Sequence, residues 1–397
     1  MQATFRYIDN FLIEHQNYWR LEPFFASQVE QLPWLSDAEP LCLWLSQLSI
    51  EQIESYKQDF SALCKAVEPF FPLLHPFLQQ LTLPVCERNG LELQRGIDSG
   101  VPGRKLEQIV AMGEAALQHH QGNEWLEWCS GKGFLGRVLA SQSRQKVTSF
   151  EYQHALCEAG QSEADRQSLP MTFVQGDAFS VEADEVFCAQ QHAVALHACG
   201  DLHVTLIEKA VHHQLSALSI SPCCYHLIHA DAYQPLSDLG RQSKLKLSKA
   251  ELRIPLQELV TGGERVRRHR MLEMSYRLAF DILLREEMGH TRYLPIPSIK
   301  KSQLADGFSA FCLWAAEQKS ITLPHCDFDY YWQLGMDRFW RMERISLVQQ
   351  LFKRGIEVWL ALDKSIYLQK NGYEVTLSEF CQREMTPRNI LLQARKI

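Results

Sequence analysis

Three acidic residues, Glu127, Glu151 and Asp177, each close a short apolar run. A carboxylate at such a strand end can accept charge-assisted hydrogen bonds from an ammonium, or hold a pair of ribose hydroxyls. Between the first two lies Ser130-Gly131-Lys132-Gly133, followed by Phe134, Leu135, Val138 and Leu139 at helical spacing. Strand, glycine turn and helix in that order make a nucleotide-sized pocket. Glycine lets backbone approach a ligand, and the helix start offers free N–H groups.

The turn alone fits several nucleotides. A P-loop is excluded, because no Lys-Ser/Thr follows at the helix start, and a dinucleotide fingerprint fits less well because the strand ends in Glu127 rather than a glycine triplet. Taken together, the strand ends are more specific. Glu127 suits an ammonium, Glu151 two ribose hydroxyls, and Asp177 with the Ala178 N–H an adenine edge. Those three groups in that order describe S-adenosylmethionine, the expected cofactor.

A second group of reactive residues falls at later strand ends: His197 and Cys199 after the fourth strand, then Cys223, Cys224, Tyr225 and His226 after the fifth. Cys129 joins them from the glycine turn. Zinc takes cysteine and histidine. The spacing matches no common zinc signature, however, and cysteine is by habit a small buried residue. No metal is therefore expected, and His197 and Cys199 are expected to wall the cofactor pocket. Tyr225 and His226 are the candidate catalytic residues, His226 as a general base, with a packed histidine as the alternative. Cys223 and Cys224 are expected on the acceptor side. Gly200-Asp201 reads equally as a helix N-cap or a substrate contact.

The elements that must position these residues alternate from about residue 104. A helix over 104–120 leads into a strand at 124–128, and helices at 134–142 and 152–163 follow. Strands begin at Val147, Met171, Ala193 and Ala217, with a helix over 202–213. This alternation predicts a parallel doubly wound sheet with ligands at the strands' C-terminal ends. Tyr373, Val375, Leu377 and Phe380, then Ile390, Leu391 and Leu392, read as an antiparallel hairpin at the sheet edge. Residues 1–85 read as short helices punctuated by prolines, and 88–103 as a linker or an ordered approach loop. Helices are expected from about Arg265 to Arg285, over 302–318, and as several pieces between 336 and 371. The expected domains are a helical one over 1–100 and an α/β one over 101–397 with a helical insertion at about 228–370.

The chain has 397 residues, 46% of them hydrophobic and 22% charged, as in a globular protein. No apolar run reaches the ~18 residues of a membrane helix, and charges interrupt the first residues, so neither a membrane span nor a secretory signal is expected. Twelve cysteines without a CxxC pair suit reduced thiols in a cytoplasm. The net charge of -7 is uneven: residues 241–397 hold 26 Lys+Arg against 18 Asp+Glu, while the rest is acidic. The densest run, Arg265-Val266-Arg267-Arg268-His269-Arg270, opens a helix, where cations oppose the macrodipole. Arg267 and Arg268 are candidate contacts to RNA phosphates; a solvated helix start is the bland alternative.

Glu127, Cys129, Gly131 and Gly133 resemble the first motif of the class I methyltransferases, with Cys129 where a first glycine is usual. GKGFLGRVLA (131–140), LHACGDL (196–202), SPCCYHL (221–227), RHRMLEMSYRLAF (268–280), LDKSIYLQKNGYEV (362–375) and TPRNILL (386–392) resemble a subgroup of them. It comprises the methyltransferase-like proteins once labelled ribosomal RNA adenine dimethylase-like, and more distantly the acceptor-stem tRNA 2′-O-methyltransferases. The resemblance implies a Rossmann-like α/β sheet, parallel with a C-terminal antiparallel hairpin, and methyl transfer from S-adenosylmethionine, with tRNA or rRNA as acceptor. A protein or small-molecule acceptor stays open, as does a non-catalytic scaffold. DNA is not expected as a partner, and the oligomeric state is open.

Overall fold

The computed structural model describes residues 1–257 and 263–397. Seven strands form one sheet: β1 (Glu124–Trp128), β2 (Val147–Glu151), β3 (Met171–Gln175), β4 (Gln191–Cys199), β5 (Ala217–Cys223), β6 (Tyr373–Glu379) and β7 (Ile390–Lys396). Their order is β3-β2-β1-β4-β5-β7-β6. The first five are parallel, β7 runs antiparallel to β5, and β6 antiparallel to β7. The expected α/β class and the edge hairpin are both present. β2 and β5 are buried at every position, the pattern of strands covered on both faces.

The order reverses between β1 and β4, which places the topological switch at the C-terminal end of β1. Helix Gly103–Gln118 and helix Phe134–Ser143 pack beside β1 around Met112, Ala115, Trp125, Leu135 and Val138. The stretch 88–102 is an ordered approach loop. The buried Glu114 carboxylate accepts from the Gly90 N–H at 2.9 Å and from the Asn89 N–H, and Arg137 donates to the Ser99 carbonyl at 3.2 Å.

The described residues divide into two compact units, each discontinuous in sequence. The sheet unit gathers Met1–Glu14, 77–257 and Lys353–Ile397. In it, Asp9 accepts from Trp359 Nε1 at 2.9 Å and from Ser243 Oγ at 2.5 Å, which fixes the first helix, Gln2–Glu14. The helical unit gathers His15–Pro76 and the described part of 258–352. Its core is aromatic, with Tyr276, Phe280 and Phe311, and the buried pair Arg338–Asp281 lies at 2.7 Å. The expected insertion at 228–370 spans 258–262, which lie outside the described residues.

Where several helices were expected after 336, one helix runs from Phe328 to Lys370. The expected helix at 302–318 is a 3₁₀ turn, Lys301–Asp306, and a helix, Phe308–Lys319, separated by Gly307 at φ 91°. Among the described residues no helix is long and apolar enough to cross a membrane.

Candidate cofactor and acceptor site

The glycine turn is held by two carboxylates. Glu151, at the end of β2, accepts from the Gly131 N–H at 2.9 Å and from the Gln153 N–H at 3.0 Å. Glu127, at the end of β1, is buried; Ser149 Oγ donates to it at 2.7 Å, and the Leu135 and Gly136 N–H groups donate as well. It thus satisfies donors that a helix start leaves orphaned. Burial outweighs these bonds and pushes the carboxyl up to about 7. Gly133 stands at φ 67°, where a Cβ would meet the Phe173 ring at 2.4 Å.

Beside the turn a cavity of about 510 Å³ opens at the C-terminal ends of β1, β2, β3 and β4, lined in part by Cys129, Glu151, Asp177, Ala178, His197 and Cys199. Six of the nine residues expected at the cofactor are therefore brought together, and its size is that of a small-molecule site. Glu127, Gly131 and Gly133 do not line it. They shape it from behind, and Glu127 faces helix amides where an ammonium contact was expected. Asp177 Oδ1 accepts from the Phe179 N–H at 2.9 Å, which rigidifies the loop after β3.

The reading from sequence missed the aromatic lining: Phe150, Tyr152 and Phe179. Phe150 and Tyr152 flank Glu151, so strand-end aromatics next to this carboxylate were the available signal. Phe150 stacks on Trp128 at 4.8 Å, which braces the wall.

β4 carries an irregularity between Leu196 and Ala198, and His197 stands there at φ 62°. Such a bulge re-aims a side chain. His197 Nε2 meets Gln108 Oε1 at 2.9 Å, while its buried Nδ1 has no hydrogen-bond partner. Burial, and after it the charges of Arg388 and Lys105, hold this imidazole down at about 4.

The loop after β5 is tied to the end of β4. The Gly200 N–H donates to Cys223 O at 3.0 Å and the Asp201 N–H to Leu227 O at 3.0 Å. The Asp201 carboxylate accepts from the His229 N–H at 2.8 Å, so it ties this loop, and no side chain caps the helix start. A Cβ at Gly200 would lie 1.9 Å from Leu227 O, so only glycine fits.

Behind the loop, Asp363 accepts from Tyr233 Oη at 2.7 Å, from the Leu236 and Ser237 N–H groups at 2.9 and 3.0 Å and from Ser237 Oγ at 2.6 Å. The buried Lys364 donates to Tyr233 Oη at 2.9 Å and lies 5.8 Å from the Tyr225 ring centre. Burial lowers this amine to about 8. Tyr225 Oη and His226 Nδ1 are buried without a partner. Burial drives the Tyr225 phenol upward and, with Arg253 and Lys249 next, lowers His226.

Cys199, Cys223 and Cys224 come together, their sulfurs all within 4.8 Å of one another. Arg267 and Arg268 belong to the helical unit, where with Lys57, Arg270, Phe339 and Trp340 they line a cavity of about 330 Å³. Glu54, Glu264 and Glu343 line it too, so the basic surface is partly neutralised.

Residues 104–231 match the sequence profile of a family described as a methyltransferase domain, over less than half of the chain. This stretch is similar to a methyltransferase domain, and the switch-point cavity lies within it. The chain is similar in structure to the Podospora anserina methyltransferase solved with S-adenosylhomocysteine (SAH), at 8% identity over 78% of this chain and 100% of that one, with a TM-score of 0.31. It is also similar to coclaurine N-methyltransferase bound to N-methylheliamine and SAH, at 12% identity over 79% and 93%, with a TM-score of 0.28. A third is the Pyrococcus abyssi tRNA (uracil-54, C5)-methyltransferase in complex with SAH, at 17% identity over 29% and 28%, with a TM-score of 0.26. The chain spans about a quarter of the length of that tRNA enzyme and about half of two other similar structures. At such scores the likeness says nothing of site or substrate. No curated protein matches the chain in sequence.

Proposed function

We propose that the protein transfers a methyl group from S-adenosylmethionine to RNA, as an enzyme of the subgroup that its motifs resemble. The observation that carries the cofactor reading is the Glu151 carboxylate, fixed by the Gly131 and Gln153 N–H groups at the rim of the switch-point cavity. Two amides use two of its lone pairs and leave others for ribose hydroxyls. Asp177 and the Ala178 N–H would hold the adenine edge, the aromatic residues Phe150, Tyr152 and Phe179 would cover its faces, and His197 and Cys199 would wall the methionine end.

When bound, the cofactor supplies a methyl group on a positive sulfur. The protein's part is positioning and the exclusion of water. Tyr225 Oη would hydrogen-bond the acceptor, and His226 Nδ1 would take the proton that the acceptor loses. Both atoms are buried with nothing else to bond. RNA as the acceptor is supported by the subgroup's motifs and by the Arg265–Arg270 run, in which Arg267 and Arg268 would neutralise phosphates.

The test is label transfer from tritiated cofactor to total RNA taken from a strain lacking the gene. Label in RNA with the wild-type enzyme, and at least tenfold less with Glu151→Ala, is expected. Label in protein alone would overturn the RNA reading, and saturable cofactor binding without any label transfer would overturn the enzyme reading. Equal cofactor affinity of Glu151→Ala and wild type in calorimetry would remove the pocket assignment.

A further inference from the structure

Seven residues other than glycine have positive φ among those described. Four of them, Arg144, Ser168, Gln214 and Ser320, end helices, where a left-handed residue is the ordinary stop. The other three are Cys129 at 56° and Cys224 at 46°, which directly follow β1 and β5, and His197 at 62°, two residues before the end of β4. Left-handed backbone in a residue with a Cβ is strained and persists where the surroundings impose it.

At Cys224 the geometric effect is specific. Successive residues of a strand point to opposite faces, so Cys223 and Cys224 in extended backbone would separate their sulfurs. The left-handed turn at Cys224 brings the second sulfur back to the first. The register adds the third: Cys199 on β4 pairs with Cys223 on β5. The Cys199 and Cys223 sulfurs lie 3.5 Å apart, and all three fall within 4.8 Å of one another.

We propose that Cys199, Cys223 and Cys224 bind one thiophilic divalent cation, Zn²⁺ by its chemistry, with the fourth position held by a ligand from outside the protein. Tetrahedral zinc with bonds of ~2.3 Å to sulfur sets its sulfurs ~3.8 Å apart, so the cluster closes on a metal with small movements. Soft sulfur selects a borderline or soft metal over magnesium or calcium. Three thiolates on a divalent ion leave one negative charge, and the Arg388 cation acts on both Cys199 and Cys224. Binding replaces each S–H by a sulfur–metal bond and releases the protons to solvent. Three protein ligands and one open position are the make-up of zinc sites that bind a water or a substrate atom. Cys199 also lines the methyl-donor cavity, so that position belongs to the same edge of the sheet.

The test uses the full chain, purified under a non-chelating reductant. Titration with Co²⁺ should show one equivalent bound, with the intense near-ultraviolet absorption of thiolate-to-cobalt charge transfer, displaced by Zn²⁺. Cys199→Ser, Cys223→Ser and Cys224→Ser should each weaken binding tenfold or more, while Cys188→Ser, exposed and outside the cluster, should not. Because a core variant can fail to fold, the wild-type protein supplies a second readout. Zn²⁺ should protect Cys199, Cys223 and Cys224 from alkylation in peptide mass spectra, and EDTA should reverse the protection. Co²⁺ binding without thiolate absorption, or no protection of these three residues by Zn²⁺, overturns the proposal.

Discussion

At the N-terminal edge of the sheet, His120 and His192 stack on Trp125 with ring centres 3.9 and 4.7 Å away. Their nitrogens are all engaged. His120 Nδ1 meets His192 Nδ1 at 3.2 Å, His120 Nε2 meets Gln145 Oε1 at 2.6 Å, and His192 Nε2 meets Ser219 Oγ at 3.0 Å. At the C-terminal edge, His197 and His226 each keep a buried nitrogen without a partner, as do Ser130 Oγ and Tyr225 Oη. Left-handed residues at the first edge, Arg144, Ser168 and Gln214, finish helices; at the second, Cys129 and Cys224 follow strand ends and His197 sits at the irregularity in β4. The same residue types thus serve packing at one edge and stand ready for a ligand at the other. Unpaired buried atoms are costly; at the sheet's edges they fall mainly at the C-terminal one, with Gln167 Oε1 an instance near the other.

Each edge has a strained glycine, and these give the strongest test of the contrast. A Cβ at Gly133 would lie 2.4 Å from Phe173, and one at Gly122, φ 109°, would lie 2.2 Å from Gln190 O. Overpacking plus left-handed strain should cost each alanine variant about 2–4 kcal/mol in denaturant unfolding. Only Gly133→Ala should also lose cofactor binding in calorimetry. Equal loss of binding in both variants would mean that the edges are not functionally distinct.

Glu127 lies beneath the C-terminal edge, and its effect should appear as a pH dependence. Its carboxyl is raised from 4.5 to about 7. Between those values the folded state holds a proton that the unfolded state has lost. Stability from this group is therefore full below about pH 4.5 and is lost as pH rises to 7, by up to about 3 kcal/mol. Glu127→Gln should flatten that part of the curve of unfolding free energy against pH. An unaltered slope would place the carboxylate outside this network.

Glu127 accepts from Ser149 and from helix amides, contacts that its place in the sequence does not reveal. The strands are legible as short runs carrying apolar residues: Trp125, Leu126 and Trp128 in β1, Val147 and Phe150 in β2, and Ala217, Leu218 and Ile220 in β5. Residue order along them then places Glu151, Asp177 and His197 at one edge. Which way a strand-end side chain turns is another matter. Glu127 turned to the helix amides and Glu151 to the glycine turn, and both choices depend on atoms brought by other elements. The helix Phe328–Lys370, expected as several pieces, runs unbroken through Gly335 and Gly355. Their missing side chains make room for Ala279 and for Phe77, each 2.4 Å from where a Cβ would sit. Partners so distant in sequence are invisible in local periodicity. The division of the first 100 residues between two units has the same cause.

Ser219→Ala probes the paired edge alone. It removes the acceptor and donor that His192 and Gln393 share, the latter at 3.2 Å. Two buried groups left without that partner should cost about 1–3 kcal/mol. Cofactor affinity should stay within twofold of wild type, and a larger drop would show that the two edges are coupled through β5.

Tyr225→Phe is the mirror of that substitution and should have the smallest effect on stability. The Tyr225 hydroxyl has no partner to lose, and the ring keeps its edge contact with His203 at 5.9 Å and its place by Lys364. Removing an unsatisfied buried hydroxyl relieves desolvation, so the melting temperature should hold or rise slightly. The rate of label transfer should fall with little change in cofactor affinity, because the proposed role of the hydroxyl is a hydrogen bond to the acceptor. A stability loss above about 1 kcal/mol would mean that a buried water already pairs this oxygen. Tyr225 would then belong with the satisfied histidines of the other edge, and the acceptor role would rest on His226 alone.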